Sequence, residues 1–340
     1  MLALAIVALL ALSPGTAQTP AGLSDAAQKM AAAQRIPEAE QLWKQALTLS
    51  PNYFPSLFNL GYLYFKQNNL ASAEPLLIQA ARAAPTDFNT HYLLGAIDSQ
   101  QSRREEALRW WREALALQPA NLKLLQVMSV EYSKGRYFRE AADLARRALN
   151  AKPDDANLHF LAIKAYQDAG DSAAAFEIAT RAVKRFPESA RANFEYGFHL
   201  QKQGNIAEAL SYLKKSMALD PAYEEPYFFY GDLLVSEGLS EEAIPYLRNA
   251  IRDRNDYVAA RVTLSRALMN LEKWQEAIEE LQQTIALDTK HPQPHLLLSQ
   301  IFFRMGDEAQ AREEKQISLR LRRENPEVLE AVQSRPFPAH

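Results

Sequence analysis

"LFNLGYLYFKQNNLASAEPLLIQAARAAP", Leu57 to Pro85, is small at unexpected places: Gly61, Ala73 and Ala80 each stand between large apolar neighbours, and a proline closes the run. Leu57, Leu60 and Tyr64 recur at intervals of three and four, the spacing of one helix face, over about Pro55 to Gln67. A second helical pattern covers about Leu70 to Ala83, with Ala73, Leu77 and Ala80 on one side. Two packed helices lie about 8–10 Å apart, a distance set by the side chains at the contact. Gly61 and Ala73 are therefore expected to let one pair of helices approach, and Ala80 to do the same for the next.

The arrangement recurs. Steps of 34 from Pro51 reach Pro85, Pro119, Pro153, Pro187 and Pro221, then Asn255 and Thr289. Steps of 34 from Ala39 reach Ala73, Ala107, Ala141, Ala175, Ala209, Ala243, Ala277 and Ala311. A fixed period in this range marks a stack of helical hairpins. Units near 20–53, 54–87, 88–121, 122–155, 156–189, 190–223, 224–257, 258–291 and 292–325 make one array over 18–325. The Gly61 register reads Ala27, Gly61, Gly95, Ser129, Ile163, Gly197, Gly231, Ser265, Ser299. Only Ile163 is large, which predicts wider packing there. Gly170, Gly204, Gly238 and Gly306 share the place where the first helix of a unit must stop, a role suited to the left-handed conformation. Each proline is expected to open the next helix, since it cannot continue one.

Composition narrows the rest. Apolar residues make up 48% of 340, which excludes disorder, and 38 basic residues balance 41 acidic ones, so no cationic excess points to nucleic acid. The absence of cysteine removes disulfides, thiolate metal sites and cysteine nucleophiles. Leu2 to Leu12 is an unbroken apolar run, followed by Ser13-Pro14-Gly15 and then Thr16-Ala17-Gln18. As a helix the run would extend roughly 16 Å, half a bilayer core. With Gly15 and Ala17 in small–x–small spacing, residues 1–17 read as a signal peptide cleaved after Ala17. The mature chain is then periplasmic or secreted, without a membrane span. No Lys or Arg precedes the run, and a buried first helix is the alternative. Residues 326–340 form a tail whose Glu327–Gln333 stretch reads as a short covering helix.

Three kinds of residue column coincide at this period: the small residues above, the column Tyr64, Tyr132, Tyr166, Leu200, Leu234, Phe302, and the column Trp43, Leu77, Trp111, Leu213, Leu247, Leu281. On these the chain resembles the tetratricopeptide repeat family over about nine-tenths of its length. The resemblance implies an all-α, right-handed α-solenoid of nine helix-turn-helix repeats. Two departures stand out. Asp98 sits in the Tyr64 column, and Lys315 replaces Leu or Trp in the last unit, where an outer face should be polar.

No phosphate loop, nucleophile elbow or dinucleotide turn appears, so neither catalysis nor a cofactor is expected. His91, His159 and His295 share a packing column. His291 and His295 have a spacing that could share a metal, but Pro292 and Pro294 place them at a helix start, and no metal site is assigned.

The resemblance also implies that first helices line a concave wall. One column there runs Phe58, Tyr92, Gln126, Phe160, Phe194, Phe228, Val262, Leu296, with aromatics at five of eight places. Tyr62, Phe65 and Phe198 lie further along, among Lys123, Lys134, Lys164, Arg191 and Lys202, with Glu225 and Asp232 beyond. Aromatic stripes rimmed by charge mark interaction surfaces. The candidate binding set is accordingly Phe58, Tyr62, Phe65, Tyr92, Lys123, Phe160, Lys164, Arg191, Phe194, Phe198, Phe228 and Asp232, with rings entering at Phe160, Phe194 and Phe228 and acidic groups near Lys164 and Arg191. For each single ring, packing against the neighbouring first helix is the competing reading. The family's carboxylate clamp is not carried over, because the first Lys is missing and Asn59 stands alone; an inner asparagine ladder is also missing. The expected role is a scaffold for a protein or peptide segment. Handling of an envelope polymer or glycan and self-assembly through the end units are its rivals.

Overall fold

The computed structural model describes residues 19–252 and 254–325. The signal-peptide reading of 1–17 and the covering helix at Glu327–Gln333 lie outside the described residues. Every regular element among those residues is an α-helix. They fall into two compact units divided between Gly170 and Asp171, inside the repeat that carries the buried Ile163.

The first unit holds α1 (Pro20–Ala32), α2 (Ile36–Leu49), α3 (Phe54–Lys66), α4 (Leu70–Ala83), α5 (Phe88–Gln100), α6 (Arg104–Leu117), α7 (Leu122–Lys134), α8 (Phe138–Ala151) and α9 (Ala156–Asp168). The second holds α10 (Ser172–Arg185), α11 (Ala190–Lys202), α12 (Ile206–Leu219), α13 (Glu224–Ser236), α14 (Ser240–Arg252), α15 (Val258–Asn270), α16 (Trp274–Leu287), α17 (Pro292–Arg304) and α18 (Glu308–Glu324). In each unit the hairpins are stacked in series: α4 packs on α5 and α8 on α9 in the first, α12 on α13 and α16 on α17 in the second. First helices also touch one another directly, α3 with α5 and α7 with α9 in one unit, α11 with α13 and α13 with α15 in the other.

The small register fits a bulky partner more than a bare backbone. A Cβ built on Gly61 would lie 2.8 Å from Leu77 Cγ, and one on Gly231 would lie 2.7 Å from Leu247 Cγ. At Gly95 it would strike the indole of Trp111, 2.3 Å from Nε1. The clearance thus belongs to the Leu or Trp sixteen residues on, which is fully or almost fully buried in every one of these pairs. Ser129 uses the same place differently: its hydroxyl donates to the Ala141 carbonyl at 2.8 Å, in the alanine register of the facing helix.

Turns obey the period as well. Gly170, Gly204, Gly238 and Gly306 have φ between 76° and 84°, the left-handed state anticipated for them. Gln34, Asn68, Ser102, Arg136 and Glu272 occupy the same register with φ between 58° and 64°. The turn therefore demands this conformation whether or not glycine supplies it. The prolines of the Pro51 register do not open helices. Pro51, for instance, follows the C-cap Ser50, and α3 begins only at Phe54. They follow a residue in extended backbone, −143° and 95° at Ser50 and −141° and 96° at Asp220, a conformation that suits a following proline; Asp288 before Thr289 adopts it too, at −138° and 90°, so the turn demands it with or without the ring.

Asp98, odd for its column, is buried and ion-paired to Arg103, whose guanidinium also reaches Glu74 at 2.6 Å. One repeat earlier Tyr64 donates to Glu40 at 2.8 Å. Glu40 and Glu74 are 34 residues apart, so one acidic register is gripped by two different devices. Burial nonetheless raises the Asp98 pKa against the pull of Arg103.

Candidate functional site

Helical spacing places Phe54, Phe58 and Tyr62 one turn apart on α3, with Phe65 a turn further. Phe54 and Phe58 have ring centroids 5.9 Å apart; Phe58 and Tyr62 are 6.2 Å apart and within 3° of parallel. On α5, Phe88 and Tyr92 stack at 5.9 Å, and Lys123 Nζ from α7 lies 5.2 Å from the Tyr92 ring centre, a cation–π distance. The inner edges of Phe58, Phe65 and Tyr92 rest on a core that includes Leu77, Leu93 and Leu94. Their outer edges stay half-exposed, and Tyr62 is 42% exposed. Phe58, Tyr62, Phe65, Tyr92 and Lys123 thus come together as one aromatic wall of the first unit.

Four other rings of the candidate set do not join such a wall. Phe160, Phe194, Phe198 and Phe228 are buried, none more than 8% exposed, so the reading of these rings as open contact points for a partner is corrected. In the second unit the cause is the residue that precedes each first helix. At most of those positions a polar side chain caps the helix: Asp87 accepts from Thr90 N at 2.7 Å, and Asn121 accepts from Leu124 N at 3.1 Å. Tyr223 and Tyr257 make no such cap. Their rings instead cover the aromatic column, Tyr223 at 5.3 Å from Phe194 and Tyr257 at 5.1 Å from Phe228. Phe229 completes the closure, 5.5 Å from Phe194 and 5.1 Å from Phe198. Phe58 and Tyr92 are followed by Asp87 and Asn121 at the corresponding places, too small to cover them.

The rim charges are similarly engaged. Lys164 pairs with Asp168 at 2.9 Å and Arg191 with Glu195 at 3.7 Å, each one turn along the same helix. A partner's carboxylate would have to displace these internal ones. Asp232 is half-buried on α13, with Thr263 Oγ1 at 3.5 Å, and burial raises its pKa although Arg266 opposes the shift. Phe54 and Phe88 belong to the exposed wall but were not anticipated; the signal was available, since each stands four residues before a column ring.

The histidines serve the helices. His91 Nδ1 donates to the Asp87 carbonyl at 2.8 Å and His159 Nδ1 to that of Asp155 at 3.1 Å. His291 Nδ1 accepts from Gln293 N at 3.2 Å, capping α17, while His295 Nδ1 meets Glu314 at 2.6 Å. Among the described residues no group of three His, Asp or Glu is placed to hold a metal ion, and no helix is long and apolar enough to cross a membrane.

Two family profiles, both described as tetratricopeptide repeat, match the sequence, one at residues 30–97 and again at 234–301, the other at 160–224. Together they span more than half of the chain. The protein belongs to the tetratricopeptide repeat family. No curated protein matches it in sequence. Among solved structures, that of the APC/C hetero-tetramer Cut9–Hcn1 aligns over 93% of this chain and 63% of its own at 14% identity, with a TM-score of 0.56. A tetratricopeptide repeat protein of Parabacteroides merdae aligns over 73% and 98% at 17% identity, TM-score 0.55. PilF of Pseudomonas aeruginosa aligns over 63% and 97% at 18% identity, TM-score 0.52. At these identities the likeness is one of fold.

Proposed function

We propose that this tetratricopeptide repeat protein is a non-catalytic interaction scaffold, and that it holds a protein or peptide segment against the aromatic wall of its first unit. The observation that carries the reading is the set Phe58, Tyr62, Phe65 and Tyr92: neighbouring rings with their edges in solvent, beside the Lys123 ammonium. Aromatic side chains supply most of the binding energy at protein interfaces when their rings are held in place. The segment that suits this wall carries apolar side chains for the rings and a carboxylate for Lys123. Export, read from Leu2 to Ala17, is part of the same proposal; sequencing the N-terminus of the secreted chain tests it.

Panning a displayed random-peptide library against the chain from Gln18 provides the test. Enrichment of apolar peptides with an acidic residue is expected. Replacing Phe58 and Tyr62 together by Ala should weaken the selected peptides by about 30-fold, the equivalent of about 2 kcal/mol. Phe194→Ala should lower thermal stability and leave binding intact. Peptides that bind the Phe58→Ala/Tyr62→Ala chain as tightly as the parent would remove the proposal.

A further inference from the structure

The aromatic wall has a chemical bias beyond its rings. Helices α3, α5 and α7, which carry it, contain two carboxylates, Asp98 and Glu131. Both are engaged, Asp98 by Arg103 and Glu131 by Lys134 at 2.7 Å. Lys66 and Lys123 have no carboxylate partner among the described residues, and the phenols of Tyr62 and Tyr92 form no hydrogen bond among them. This face therefore offers a partner N–H and O–H donors beside apolar rings, with positive charge and no unpaired carboxylate.

The wall also has a direction. Val130, 42% exposed, stands in the register of Tyr62 two repeats on, and Lys123 of the same helix reaches back to Tyr92. A segment that meets Tyr62, Tyr92 and Val130 in turn crosses α3, α5 and α7 rather than following one of them. Helices packed in contact, as α3 and α5 are, lie about 8–10 Å apart. A crossing segment needs side chains on one face at that interval. Polyproline II supplies them at every third residue, about 9 Å apart. A strand repeats its face at about 7 Å and an α-helix at about 5 Å per turn. Hydrogen bonding selects the same conformation. Polyproline II leaves its carbonyls unpaired and, where proline fills it, has few N–H groups in need of acceptors. That complements a face made of donors. An α-helix has already satisfied its own carbonyls and would leave the phenols to water.

We propose that the segment held by the aromatic wall is acidic and proline-rich, and lies across α3, α5 and α7 as a polyproline II helix. Its prolines pack on the rings, its carbonyls accept from the phenols, and its carboxylates meet Lys66 and Lys123. The proposal rests on this wall being the binding face and specifies what that face selects.

Three fluorescein-labelled peptides, each a triplet repeated four times, are titrated against the full chain by fluorescence polarisation: Pro-Pro-Glu, Pro-Pro-Lys and Ala-Ala-Glu. The second keeps the conformation and reverses the charge; the third keeps the charge and favours an α-helix. Pro-Pro-Glu is expected to bind about tenfold tighter than either of the others. Lys123→Glu, a change at an exposed side chain, should weaken Pro-Pro-Glu by about fivefold and narrow its lead over Pro-Pro-Lys. Phe58→Ala/Tyr62→Ala should weaken it by about tenfold or more. Equal affinity for Pro-Pro-Glu and either control overturns the proposal, as does no binding of Pro-Pro-Glu or binding that the ring variant leaves unchanged. Library peptides that need Phe58 and Tyr62 but contain no proline would also overturn it, while leaving the wall as the binding face. Library peptides that need neither ring would remove both.

Discussion

A single methyl group added at Gly95 would lie 2.3 Å from Nε1 and 2.4 Å from Cδ1 of Trp111, so the indole must retreat by about 1 Å to reach ordinary contact. It has little room, being 2% exposed, and its Nε1 donates to the Tyr92 carbonyl at 3.1 Å. Displacing it costs about 1–3 kcal/mol in packing, and stranding the buried donor adds about 1 kcal/mol or more. Exchanging a helical glycine for alanine returns about 1 kcal/mol. Gly95→Ala should therefore destabilise the first unit by about 2 kcal/mol. Gly197 is the natural control. Its added Cβ would meet Leu213 Cγ at 3.2 Å and the Ala209 carbonyl at 3.3 Å, contacts that small adjustments relieve. Gly197→Ala should fall within about 0.5 kcal/mol of neutral, propensity and crowding cancelling. Trp111→Leu, which installs the side chain that faces Gly61, Gly197 and Gly231, should rescue Gly95→Ala with a coupling of about 1 kcal/mol or more in a double-mutant cycle. Urea unfolding followed by circular dichroism measures the changes, with amide exchange in α5 and α6 as the local readout, because repeat arrays need not unfold in one step. Equal effects at Gly95 and Gly197, or strict additivity with Trp111→Leu, would refute the assignment of the small register to its bulky partner.

Arg136→Gly should stabilise the first unit by about 0.5–1 kcal/mol, since Arg136 has φ 64° and a left-handed side-chain residue costs about 1–2 kcal/mol, partly offset by the greater entropy of unfolded glycine; a lower denaturation midpoint would contradict this. Ala209→Leu, at a position with no exposed surface, should cost about 1–3 kcal/mol by overpacking, measured by the same urea series. Burial lowers the His199 pKa to about 4, whereas an unfolded histidine takes its proton near pH 6.5. The unfolded chain therefore binds that proton first as pH falls. The contribution of neutral His199 is intact above pH 6.5 and is lost progressively down to about pH 4, the loss reaching about 2 kcal/mol by pH 5. Thermal midpoints of the parent and His199→Gln should converge over this range, and parallel profiles would exclude the effect.

The architecture was legible because its cause is periodic. Ala73, Leu77 and Gly61 carry their meaning only as members of columns, and 34-residue spacing makes the columns visible without any contact being known. The turn at Arg136 was less legible, because arginine gives no hint of a left-handed backbone; its register beside Gly170 and Gly204 does. The candidate site was legible in part. Whether a wall ring is covered depends on residues about thirty positions away, and Phe194 and Phe58, members of one column, look alike until Tyr223 is seen to forgo capping and lie across Phe194. Side-chain identity placed the rings on the wall; only the neighbouring repeat decides whether they face solvent. The prolines misled for a local reason: they stand in the turn after an extended residue, a place the fold keeps even where Thr289 replaces proline, and the next helix begins a few residues later.

The left-handed turns have a practical consequence. Gln34, Asn68, Ser102, Arg136 and Glu272 are exposed, differ in chemistry and share one backbone state, so the fold is indifferent to what side chain stands there. In a chain devoid of native thiols, each of these positions is a ready attachment point for a probe, and any two mark the chain at a multiple of one repeat length. Pairs of dyes at such positions within the first unit would turn the protein into its own gauge, reporting in nanometres how its hairpins respond when a segment settles on the aromatic wall.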